Sequence, residues 1–196
     1  MKAKRIPFIT ASLFTFAVLA AAVVLQPGNS KTPALPVLGA VPDFFLYDSS
    51  AKEFKLENLK GKVFIADFIF TTCSGICPMM TKNMMGVYNA FKGNDSVRFV
   101  SISVNPEYDS PAVLADYAKK LNISGRQWHF LTGSREEISR LAISGFKIGS
   151  VDEPVFHSGY LVLVDGKSQI RGYYDGTKPA LVRKLIEDIP LLLKEK

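Results

Sequence analysis

Residues 62–70, KVFIADFIF, constrain the fold more than any other stretch. Their apolar side chains fall on both faces of an extended chain, so the segment reads as a central strand covered on both sides. It runs into residues 70–80, FTTCSGICPMM, which hold both cysteines of the chain, Cys73 and Cys77. Met80, Met84, Val87 and Phe91 then recur at helical spacing, Pro78 suits a first helical turn, and Gly93 marks the end. Two thiols thus sit where a buried strand turns into a helix.

The rest of the chain supplies partners for that strand. Residues 43–47 and 53–56 read as two short strands joined by a polar turn, and 97–104 as a second buried strand. Ser110-Pro111 opens a helix to about Leu121, and residues 127–131 form a short strand. The capping box at Ser134 and Glu137 opens a helix to about Ser144. Residues 159–164 and 169–174 read as a hairpin, and a helix over 179–193 closes the chain. A β-α-β-α order followed by a hairpin and a helix predicts an α/β, thioredoxin-like fold, a mixed central sheet flanked by helices.

The N-terminus has a separate character. Lys2, Lys4 and Arg5 precede an uncharged apolar run of 20 residues, Ile6 to Leu25. That length matches the roughly 20 residues needed to cross a bilayer core, and the basic flank keeps that end cytoplasmic. The expected organisation is a membrane anchor over 1–25, a Pro/Gly/Ser-bearing linker over 26–41, and a thioredoxin-like domain over 42–196 on the extracytoplasmic, periplasmic side. No cysteine follows the apolar run, which excludes a lipoprotein anchor. Without the basic cluster the net charge of +6 shrinks to a mildly basic domain lacking a dense Lys/Arg run, which argues against nucleic acid as a partner.

At spacing i, i+4 the two sulfurs project from one helix face, at an end that stabilises thiolate. The pair can bind a metal, exchange a disulfide or staple the fold; a staple closing so short a loop removes little chain entropy. Two thiolates suit copper(I), and an added imidazole also suits copper(II) or zinc. His129, within Gln127-Trp-His-Phe-Leu131, reads as a strand residue. His157 precedes the 159–164 strand, in the turn that faces the cysteine motif in a thioredoxin-like topology. A reductant keeps a cis-proline there, whereas here the nearest proline is Pro154. Cys73, Cys77 and His157 are therefore the candidate three-ligand set. Met80 and Met84 fit the apolar stripe, while Met79 and Met85 fall off it. Asp109 reads as a loop-bonding or capping carboxylate, and Asp67, inside the apolar strand, needs a structural partner.

With these residues in view, the chain resembles the Sco/SenC family of membrane-anchored copper-binding proteins. The resemblance runs over residues 43–194, through FTTCSGICPMM, SISVNPEYDSPAVLADYAKKL, WHFLTGSREEISRLA and FHSGYLVLVDGKSQIRGYYDG. It implies Cys73, Cys77 and His157 as copper ligands. It also implies a metallochaperone that assists assembly of the dinuclear copper site in cytochrome c oxidase subunit II. The alternative is a thiol–disulfide oxidoreductase that reduces the target's copper-ligating cysteines through a Cys73–Cys77 disulfide. Neither the copper donor nor the thiol reductant is legible. Ser74, Asn105 and Phe156 depart from the family's usual Pro, Asp and Asp, thinning the acidic groups around the site. A thiol peroxidase is disfavoured, because Phe70 stands where that family has Thr.

Overall fold

The computed structural model describes residues 34–149 and 159–195. Every residue of Val63–Ile69 is buried, as a strand apolar on both faces requires. This strand, β4, pairs in parallel with β5, Val97–Ser103, and antiparallel with β7, Tyr160–Val164. Beyond β5 lies β6, Trp128–Thr132, again parallel, followed by antiparallel β2, Phe45–Asp48, and β3, Glu53–Lys55. Beyond β7 come β8, Gln169–Asp175, and β1, Gly39–Ala40. The sheet is mixed, in the order β1-β8-β7-β4-β5-β6-β2-β3.

Alternation along β4 divides the core in two. Val63, Ile65 and Ile69 pack with the helices Cys77–Ala90 (α1), Pro111–Lys120 (α2) and Pro179–Leu193 (α4). Phe64, Ala66 and Phe68 pack on the opposite face with Arg135–Arg140 (α3), the wide turn after it and the β2–β3 hairpin. In α1, Met80, Met84 and Val87 form the buried stripe that the spacing predicts. Burying each methionine contributes about 1.5–3 kcal/mol. Gly93, at φ +82°, then takes the left-handed turn back toward β5.

Two elements depart from the sequence reading. Residues read as the end of an extended linker form β1, because the outer edge of β8 leaves backbone groups free to pair. Leu38 N–H donates to Ile170 O at 2.8 Å and Val41 N–H to Ser168 O at 2.9 Å. The buried Arg171 guanidinium holds the chain just before β1, donating to Leu35 O at 2.6 Å, Asp165 at 2.7 Å and Glu195 at 2.7 Å. The helix expected to run to about Ser144 is α-helical only to Arg140 and continues as a π turn over Leu141–Gly145. There Phe146 N–H bonds Leu141 O, five residues back, and the wider turn carries Phe146 into the core against Phe68.

The expected anchor over 1–25, the first half of the linker, and His157 lie outside the described residues. Among the described residues no helix is long and apolar enough to cross a membrane.

Candidate thiol and metal centre

The site forms because α1 begins without a conventional cap. Its N-cap residue, Ile76, has no side-chain acceptor, its first turn has no acidic residue, and Pro78 needs no partner for a missing N–H. The sulfur of Cys73 lies against this start and draws hydrogen bonds from the backbone N–H groups of Gly75, Ile76 and Cys77 and from the thiol of Cys77. Burial pushes the Cys73 thiol up, but these hydrogen bonds outweigh it and hold the thiol below its ordinary value. Cys77 is buried and is pushed up to about 12, by burial first and then by donating its proton to Cys73. Both are free thiols. The pair is thus asymmetric: the reachable Cys73 thiol is lowered and the buried Cys77 thiol is raised.

A carboxyl group lies among the charges that act on Cys77. Asp67, buried in β4, accepts Ser101 Oγ–H at 2.6 Å, and Ser101 Oγ in turn accepts Trp128 Nε1–H at 2.9 Å. Among the described residues its other oxygen, Oδ2, has no hydrogen-bond partner. Burial pushes this carboxyl up to about 7. Beside the thiols a groove of about 370 Å³ opens between α1 and α2, lined by Phe70, Pro78, Met85, Tyr117 and Leu121. Tyr117 and Thr81 share a hydrogen bond of 3.1 Å across it.

The other sequence candidates separate cleanly. His129 lies on the opposite face of the sheet, its ring 4.7 Å from that of Phe54, and burial pushes its imidazole down to about 4. Met80 and Met84 are core; Met79 is exposed, and Met85 is part-buried at the groove. Among the described residues no group of three His, Cys, Asp or Glu side chains could hold a metal ion, so this part of the chain offers two sulfur ligands. Gly159, where the description resumes after 150–158, lies against Ile76: a Cβ there would sit 3.8 Å from Ile76 Cδ1. Gly176 N–H donates to Gly159 O at 2.6 Å, and Asn83 of α1 donates to Gly176 O at 2.6 Å. The head of β7 is therefore tied to the cysteine helix.

Sequence reasoning missed Thr71 and Ser103, both bonded to Asp109. One signal was available for Ser103. Ser101 and Ser103 fall on the same face of the strand as the apolar Val97 and Phe99, where a buried hydroxyl has to find a partner. Nothing comparable marks Thr71.

A family model described as SCO1/SenC matches residues 37–193. The SCO1 protein homolog of Bacillus subtilis strain 168 is 35% identical over 160 residues, covering 79% of this chain and 83% of that protein. The solved structure of BsSco is described as having a disulfide switch and as a member of the Sco family of cytochrome c oxidase assembly proteins. It matches with TM-score 0.73 at 35% identity, over 83% of this chain and 98% of BsSco. Arabidopsis thaliana ScoI, solved with copper bound, matches with TM-score 0.65 at 28% identity, over 77% of this chain and 98% of its own. The family model spans most of the chain and the Bacillus subtilis relative is 35% identical, so the chain belongs to the SCO1/SenC family.

Proposed function

We propose that Cys73, Cys77 and His157 bind one copper ion and that the chain is a metallochaperone for the dinuclear copper site of cytochrome c oxidase subunit II. Residues 1–25 anchor it in the membrane, and 26–41 link the anchor to the copper-binding domain over 42–196 on the extracytoplasmic side, the end of the linker being paired to that domain as β1. The observation that carries the reading is the dithiol at the uncapped start of α1, with the Cys77 thiol bonded to the Cys73 sulfur. That pairing sets two soft donors side by side for one soft ion. Chain reach supports the third ligand. Gly159, two positions after His157, lies against Ile76 just ahead of Cys77, and two residues span at most about 7 Å. The copper in Arabidopsis ScoI and the assembly role given for BsSco support the cargo and the destination. The run Ile6 to Leu25 supports the anchor.

A second reading, thiol–disulfide exchange, is favoured by the asymmetry of the pair and by the disulfide switch described for BsSco. The Cys73 thiolate attacks a target disulfide, forming a mixed disulfide and releasing one target thiolate. Cys77 then attacks the Cys73 sulfur, closes the Cys73–Cys77 bond and frees the second target thiol. Two electrons pass to the target, leaving its cysteines reduced and able to accept copper.

His157 separates the two readings. Anaerobic copper(I) titration of His157→Ala should give an affinity at least about tenfold below wild type, as expected for losing one of three ligands, with disulfide reductase turnover largely spared. Unchanged copper affinity would sink the three-ligand site.

A further inference from the structure

The turn that carries Cys73 follows directly on β4. Ile69 O accepts Val104 N–H at 2.8 Å, and Cys73 N–H donates to Phe70 O at 3.2 Å. Asp109, at 0% exposure, reaches it from a loop 38 residues beyond Thr71. Its Oδ2 accepts Thr71 N–H at 3.0 Å and Ser103 Oγ–H at 2.6 Å, and its Oδ1 accepts the Thr71 hydroxyl. Ser103 Oγ also accepts Asn105 N–H at 3.1 Å, and Asp109 N–H donates to Asn105 O at 2.9 Å. One buried carboxylate thereby locks the thiol turn to the end of β5 and to the 105–109 loop. The two oxygens of a carboxyl group offer several lone-pair sites, enough to take all three donors.

We infer that Asp109 is a positioning residue for the dithiol: by gripping Thr71 at both amide and hydroxyl, it holds Cys73 beside Cys77 at the groove that both line, where the two sulfurs can take one soft ion together. A pair held in place binds without first being ordered, and loosening the turn reinstates that cost. The inference rests on the copper reading only for the identity of the cargo.

Phenylarsine oxide tests the geometry without copper. It bridges two thiols with loss of one water, C6H5AsO plus two S–H giving C6H5As(S)2 plus H2O, and no electrons change hands. Its affinity for the full chain in detergent is read by competition with 1,2-ethanedithiol, with thermal melts run alongside. An asparagine at 109 turns an N–H2 toward at least one donor, so Asp109→Asn should hold the arsenical about tenfold more weakly. Thr71→Val, which keeps the amide bond and loses the hydroxyl, should weaken it about threefold, and Thr71→Ser should stay within about twofold of wild type. The Thr71 pair keeps the test decisive if Asp109→Asn does not fold. Wild-type affinity in both Asp109→Asn and Thr71→Val would overturn the inference, as would equal losses in Thr71→Ser and Thr71→Val, or a wild-type chain that fails to bridge arsenic. Copper(I) titration of the same variants distinguishes the two readings: a wild type that bridges arsenic but binds no copper sinks the cargo and leaves the positioning role standing.

Discussion

Asp67, whose charge acts on Cys77, makes the stability of the fold depend on pH. Its pKa is raised from 3.8 to about 7, chiefly by burial, so the folded chain binds this proton more tightly than the unfolded chain does. The contribution to stability is therefore full below about pH 4, is lost as pH rises toward 7, and levels off above that, where a buried carboxylate is left charged. Asp67→Asn removes the titration. Its stability relative to wild type should rise by about 2–4 kcal/mol between pH 4 and pH 8, read from urea unfolding at several pH values. A gap that does not change with pH would mean that Asp67 is already ionised in the fold. The need for a partner was legible in the sequence, since an acid stands inside KVFIADFIF. That the partner is Ser101, itself held by Trp128, was not, because β5 and β6 bring those residues together from distant points in the chain.

At the scale of elements, strong periodicity was legible and edges were not. The buried run gave β4, and the Met80–Met84–Val87 stripe gave α1, because each pattern matches a single geometry. β1 could not be read, since two residues, Gly39 and Ala40, have no period and pair only because β8 exposes an edge. What holds the approach to that edge is Arg171, at 6% exposure, with Asp165, Glu195 and two backbone carbonyls as acceptors. Arg171→Met leaves those acceptors without their donor and should cost about 3 kcal/mol in urea unfolding. The same variant should leave arsenical bridging by the thiols unchanged, because the clamp sits beside the N-terminal end of β4 and the thiols follow its C-terminal end. A loss below about 1 kcal/mol would show that the clamp is not a source of stability.

Over the whole molecule, the order of elements announced the sheet, and the sheet places the thiols at one end of its parallel strands, facing the head of β7. The dithiol was legible because two cysteines before a proline, where an apolar strand becomes a helix, have few other uses. Its asymmetry was not, because it depends on which backbone amides reach Cys73 and on how deeply Cys77 is buried. The central claim is a single copper ion held by two sulfurs and one imidazole. It is tested most directly by the copper content of the full chain, reduced and loaded with copper(I) without oxygen, then passed through a competing chelator. The account predicts one copper per chain for wild type and none retained by either Cys73→Ser or Cys77→Ser. Copper kept at full stoichiometry by either serine variant would contradict it.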